Sequence, residues 1–153
     1  MNYNLFKSQF LDCTGLLSWD SMDKQVKQDL KNNTCRILGE GKNATYLLTD
    51  LNNYCSELLD LYQKANEHQK MVSNKDLKHM HVYLSSTSEA KTFGRHSKGV
   101  NTLLVQSVGK MSYKFDSGET IILAPGDGIF IPKHMYHDPI PIEPRITISF
   151  SWD

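Results

Sequence analysis

The stretch Leu123–Trp152, LAPGDGIFIPKHMYHDPIPIEPRITISFSW, limits the possible folds of this chain more than any other. Pro125-Gly126-Asp127-Gly128 separates the apolar runs Ile121–Leu123 and Ile129–Ile131. Proline is pre-set for the first corner of a turn and glycine is free to take positive φ, so the two runs read as short strands meeting at a tight turn. Pro132 cannot donate to a ladder and ends the second run. His137 follows five positions later, and Ile146, Ile148 and Phe150 alternate with polar residues on a return strand opened by Arg145.

The same period of two extends back to Leu77. Met80, Val82 and Leu84 alternate with His79, His81 and Tyr83, and Met111, Tyr113 and Phe115 alternate with Ser112 and Lys114. Turn signals at Gly94–Gly99, Gly109-Lys110, Asp116–Gly118, Pro125–Gly128 and Pro139–Pro144 divide this half into six or seven short strands, the spacing of a small sandwich or barrel. The first half has a helical period. Met22, Val26 and Leu30 predict a helix from Ser21 to Asn32-Asn33. Thr34–Leu38 and Ala44–Leu48 read as a hairpin or a pair of edge strands. Thr49 is a candidate N-cap with Asp50 in the first turn of a second helix, whose apolar face is Leu51, Tyr54, Cys55, Leu58, Leu61, Tyr62 and Ala65. Ala65–Asp76 reads as a polar connection. The expectation is one domain, with residues 1–76 a helical cover on a barrel formed by 77–153.

At 153 residues the chain is long enough for one sizeable core. Lys+Arg and Asp+Glu both number 17, so the overall charge calls for neither nucleic acid nor an anionic membrane. Cys13, Cys35 and Cys55 form no CxxC pair, which argues against a zinc ribbon or a disulfide framework and suggests a reducing, cytoplasmic setting. The opening MNYNLFKSQFLDC lacks the pattern of a signal peptide, and no apolar run has the length of a membrane span. GxSxG, P-loop and dinucleotide glycine patterns are missing too, so a nucleophilic hydrolase and a phosphate loop are not indicated.

Gly126, Pro132 and His137 have the spacing of the second cupin motif, with His134 where that motif usually has glycine. Upstream, FGRHSKGVNTLLVQSVGK, Phe93–Lys110, resembles the metal-binding segment of JmjC-type cupins, the branch containing Fe(II)/2-oxoglutarate hydroxylases. Gly94, His96, Gln106 and Gly109 fall in register with that pattern. Lys98 stands where the family has a ligand Asp, and Met111 where it often has a cosubstrate Lys. The resemblance covers the C-terminal half. It implies a cupin-type double-stranded β-helix (jelly-roll barrel), Fe(II) at His96 and His137, 2-oxoglutarate as cosubstrate, and a protein, peptide or small-molecule substrate. Cupin edge strands commonly pair, so a homodimer is a further expectation.

The residues carry this reading to different extents. Two neutral imidazoles can bind a first-row metal, but non-haem iron normally takes a carboxylate as third ligand, and a protonated Lys98 has no lone pair to offer. Three readings follow. Another ligand such as His81, Glu119, His134 or Asp138 completes the site; a cosubstrate or anion fills the gap; or Lys98 replaces the metal's charge and the barrel is a non-catalytic pocket for an anionic small molecule or a protein partner. Arg145, or alternatively Lys114, can clamp a carboxylate, against the blander role of a surface ion pair. Gln106 can orient a ligand from the wall or simply face outward, and Lys98 and Gln106 are the candidate catalytic groups beside the metal. His79 and His81 share a strand face that lines the mouth or, more commonly, faces solvent. A metal-free isomerase-like cupin using a histidine base is the remaining alternative.

Overall fold

The computed structural model describes residues 2–50 and 56–153. Among these residues ten strands form two antiparallel sheets. In chain order they are β1 (Asn4–Phe6), β2 (Cys35–Leu38), β3 (Thr45–Thr49), β4 (His79–Ser85), β5 (Asn101–Val108), β6 (Met111–Phe115), β7 (Thr120–Leu123), β8 (Gly128–Ile131), β9 (His137–Pro141) and β10 (Arg145–Trp152). The larger sheet has seven strands in the order β1-β8-β5-β10-β4-β3-β2, and the smaller has three in the order β7-β6-β9. Helix α1 (Trp19–Lys31) follows β1, and α2 (Ser56–Ser73) precedes β4. The chain is mainly β, a jelly-roll barrel of double-stranded β-helix type with N-terminal helices packed outside it.

The period-two alternation after Leu77 sorts residues between two cores. Met80, Val82, Leu84, Ile146, Ile148 and Phe150 face outward from the large sheet and meet Met22 and Val26 of α1 and Leu58 of α2. Facing the other way, Leu104, Ile129 and Ile131 pack against Met111, Tyr113, Phe115 and Leu123 of the small sheet. Each such fully buried aliphatic side chain contributes about 1.5–3 kcal/mol.

The turn at Pro125 forms as expected. Gly126 takes φ +93, and the Asp127 amide donates to the Ala124 carbonyl at 3.0 Å. Asp127 also accepts from the Ala124 amide at 2.9 Å, the Ser8 amide at 2.8 Å and Lys7 Nζ at 3.1 Å. Burial pushes its carboxyl upward, but these donors outweigh burial and hold it below the usual carboxylate range. The turn former therefore also ties the N-terminal arm to the barrel.

The first 76 residues are more than a helical cover. β1 adds to the edge beside β8, while the hairpin β2–β3 extends the sheet beyond β4. β4 is thus an inner strand, so His79 and His81 do not lie on a sheet edge. Helix α1 starts at Trp19, two residues earlier than its apolar period suggests, because the Ser18 side chain accepts from the Ser21 amide. Thr49 belongs to β3 and Asp50 has φ +53, so neither starts a helix, and Leu51, Tyr54 and Cys55 lie outside the described residues. The predicted connection Ala65–Asp76 is largely helix, since α2 runs to Ser73. Glu67, Gln69, Lys70 and Met71 are good helix formers whose lack of an apolar stripe hid this from the pattern. The helix stops where Asn74 turns left-handed at φ +55.

Gly109 permits the closest backbone approach. Its φ is +70, and a Cβ there would sit 1.9 Å from the Pro144 carbonyl oxygen. Gly109→Ala is expected to destabilise the fold by about 3 kcal/mol or more, combining left-handed strain with a backbone clash. Urea unfolding checks this, and a shift below about 1 kcal/mol would contradict it.

Candidate metal and anion site

The two motif histidines are brought together by backbone. His96 lies outside the ladders but bridges His137, the first residue of β9, with each amide donating to the other's carbonyl at 2.9 Å. Their rings follow at a centroid distance of 4.5 Å. His96 Nδ1 lies 2.7 Å from the Gly94 carbonyl oxygen, and His137 Nδ1 lies 3.0 Å from that of Met135. A carbonyl only accepts, so each Nδ1 is the protonated nitrogen and, in the neutral ring, Nε2 keeps the lone pair. Metal-binding histidines are commonly held in this way.

Burial pushes His137 down to about 4; the Met135 carbonyl opposes this, and the nearby His96 and Lys98 charges add to it. The ring is therefore neutral at pH 7. Between about pH 4 and the unfolded value of 6.5 the unfolded chain binds a proton that the native ring refuses. Its stabilising contribution is complete above 6.5 and is lost as pH falls toward 4. The metal-free protein is expected to show a urea midpoint that declines from pH 7 to pH 4, and His137→Gln to decline less steeply. Parallel declines would contradict this assignment.

Lys98 is half-buried and donates from Nζ to the Tyr83 hydroxyl at 3.2 Å. It lines the same cleft as His96, His137, Tyr83, Tyr113 and Arg145, a narrow space of about 30 Å³. His134 takes φ +67, which explains why glycine is usual at its position, and its amide donates to the Lys98 carbonyl at 2.7 Å. This contact fixes the loop carrying Lys98. Arg95 pairs with Asp116 at 2.6 Å and stacks over Tyr136 at 4.0 Å, fastening the same loop from outside.

Arg145 is buried, at 4% exposure. Its Nε donates to Ser85 Oγ and its Nη1 to Thr147 Oγ1, both at 2.9 Å. The Thr147 hydroxyl donates to Gln106 Oε1 at 2.8 Å, and Gln106 Nε2 donates to the carbonyls of Val108 and Gly109 at 2.9 Å. Ser85 Oγ also bonds Thr45 Oγ1 at 2.8 Å. Tyr83 presents its ring 5.3 Å from the guanidinium carbon. Among the described residues no carboxylate pairs with Arg145, so its charge meets only hydroxyls and aromatic rings. Burial lowers its pKa, although Tyr113 and Tyr83 act in the opposite direction.

The structure thus gathers His96, Lys98, His137 and Arg145 in one cleft and sets Gln106 behind it as a positioning residue for Thr147 and Arg145. Lys114 is exposed on the outer face of β6, away from the cleft. Met111 is buried in the inner core. None of the proposed third ligands joins the histidines: among the described residues no three His, Cys, Asp or Glu side chains are gathered for a metal. Glu119 bonds Tyr3 and Ser117, while Asp138 sits opposite Lys114 on the small sheet's outer face. Pattern reading missed Tyr83, Ser85, Thr45 and Thr147. Tyr83 and Thr147 had a signal, since they share strand parity with Ser85 and Arg145 respectively.

No protein-family model and no curated protein matches the sequence. The fold, however, matches solved structures. The Escherichia coli ribosomal oxygenase YcfD, in its complex with cobalt and 2-oxoglutarate, aligns with a TM-score of 0.79 at 13% identity, covering 99% of this chain and 48% of that one. Its complex with cobalt and succinic acid gives the same values. The non-haem alpha-ketoglutarate-dependent epimerase SnoN from nogalamycin biosynthesis aligns with a TM-score of 0.62 at 14% identity, covering 98% of this chain and 77% of that one. The chain shares the fold of these proteins, a double-stranded β-helix of cupin type, and it spans about half the length of YcfD. Among the described residues no helix is long and apolar enough to cross a membrane.

Proposed function

We propose that the chain is a metal-dependent cupin of oxygenase type that acts on a protein, peptide or small molecule. His96 and His137 hold Fe(II) through Nε2, and Arg145 holds the distal carboxylate of an anionic cosubstrate, 2-oxoglutarate. The observation that carries this reading is the pair of Nδ1–carbonyl contacts, 2.7 and 3.0 Å, which leave both Nε2 lone pairs available on adjacent rings.

The donor set fits a first-row divalent ion through two neutral imidazoles, with exogenous anions taking the remaining positions. Fe(II) so held supplies the O2 activation that no side chain provides, with 2-oxoglutarate as co-reductant. The chain's own groups do the rest. Arg145 neutralises and orients the dicarboxylate; Thr147 and Gln106 fix the guanidinium; Tyr83 and Tyr113 wall the cleft and limit water. Lys98 places a cation where a bound carboxylate or other anion is favoured.

Lys98 also favours a second reading, a non-catalytic cupin binding an anionic small molecule, with the ammonium in place of the metal's charge. Turnover separates the two. With Fe(II), O2 and 2-oxoglutarate, the wild type is expected to release succinate in slow uncoupled turnover, and His137→Ala to release none. No succinate from either protein, together with retained 2-oxoglutarate binding, would replace the first reading by the second.

A further inference from the structure

The sheet face that carries Arg145 continues beyond it. Along β10, Arg145, Thr147, Ser149 and Ser151 share one parity, and the register sets Tyr83, His81 and His79 opposite the last three. On β5, Thr102 lies opposite Ser151. The stripe is polar throughout. At the Arg145 end the hydroxyls of Thr147, Ser85 and Thr45 have partners. At the other end Thr102 Oγ1, Ser149 Oγ and His81 Nδ1 are buried with no hydrogen-bond partner. Ser149 and Thr102 are 0% and 3% exposed. Buried polar atoms left unpaired cost about 1–3 kcal/mol each, and of these three residues His81 lines the groove that opens at this end.

A groove of about 320 Å³ opens there. His79, His81 and Ser151 line it from the stripe, Arg36 from β2, and Phe93 and Lys98 from the loop before β5. Its described lining carries two fixed cations and no carboxylate. Asp50 lies 3.7 Å from His79 Nδ1. Arg36 stacks 5.0 Å over the Phe93 ring, which orients its planar donors. Tyr83, Phe93, His96 and Lys98 line both this groove and the inner cleft, so the two spaces adjoin at the Lys98–Tyr83 contact and at the His96 ring.

We propose that this groove is the substrate subsite and takes the oxyanion end of a small molecule, a carboxylate or phosphate, between Arg36 and Lys98, with His81 beside them on the groove wall. The word substrate rests on the reading of the inner cleft given above; the anion site itself does not. Burial holds His81 down to about 4, with the Lys98 charge acting in the same direction, so at pH 7 its neutral ring has both a donor and an acceptor to offer.

The test uses the metal-free full chain and two probes, phenyl phosphate and benzoate, followed by NMR of the histidine ring nitrogens and the Arg36 side chain. One or both probes are expected to shift the signals of His81 and Arg36, and the tighter of the two names the anion. Binding is expected to weaken about fivefold in Arg36→Gln and by more in the double variant with Lys98→Met. Arg145→Met, which removes a cation of the inner cleft alone, should leave probe binding unchanged. Loss of probe binding in Arg145→Met, unchanged affinity in the double variant, or binding of a hexaglutamate peptide in preference to both probes overturns the proposal. Because the readout needs no metal, a failure of Fe(II) to bind leaves this result standing, and a failure of the groove leaves the metal question intact.

Discussion

Arg145→Met is expected to stabilise the ligand-free protein while removing its ability to bind 2-oxoglutarate. The two effects have one cause. A fully buried guanidinium without a carboxylate costs desolvation energy that its hydroxyl contacts only partly offset. Methionine has similar length and removes that cost. The groups left behind stay paired, because Ser85 keeps Thr45 at 2.8 Å and Thr147 keeps Gln106 at 2.8 Å. Replacing buried ionic groups by apolar ones is neutral to stabilising, here by about 1–2 kcal/mol in urea unfolding. Loss of a desolvated charge contact to the ligand costs about 2–5 kcal/mol, so calorimetry should show 2-oxoglutarate affinity falling about 30-fold or more. A variant that unfolds more readily and binds 2-oxoglutarate as before would make Arg145 a structural residue instead.

The second large effect is expected from Lys98→Asp. The Lys98 ammonium lines the cleft with His96 and His137, 3.2 Å from the Tyr83 hydroxyl. Near a divalent cation it repels where a carboxylate would ligate. At an effective dielectric of about 20, Coulomb's law gives about 4 kcal/mol per pair of unit charges 4 Å apart, so the exchange should raise Fe(II) affinity about a hundredfold or more even after solvent screening. Lys98→Met separates the two contributions, losing the repulsion without gaining a ligand, and should lie between. Equal affinities in Asp and Met variants would show that position 98 does not reach the metal.

Legibility in the sequence followed the physics of each element. Strands of the barrel could be read because their alternation is strict and their turns carry proline and glycine. The role of β1–β3 could not, since three to five residues of mixed character acquire meaning only from the strand they pair with. His96 and His137 were visible as a motif, yet what makes them ligands-in-waiting is the backbone bridge and the carbonyls on Nδ1, which no spacing reports. Arg145 was read from its place on the last strand. That its charge lies buried without a counter-ion depends on Thr147 two residues along and on Ser85, Tyr83 and Tyr113 from strands far apart in the chain. Lys114 failed for a simple reason of parity: it alternates with Tyr113 and Phe115, and those two face the core.

The central claim is that two histidines form a metal site in a cleft where, among the described residues, no third protein ligand joins them. Anaerobic Fe(II) titration of the purified protein, with and without 2-oxoglutarate, tests it most directly. The account predicts one Fe(II) per chain, bound more tightly when 2-oxoglutarate is present and lost in His137→Ala. Fe(II) binding that is unaffected by His137→Ala, or no binding with either ligand state, would contradict it.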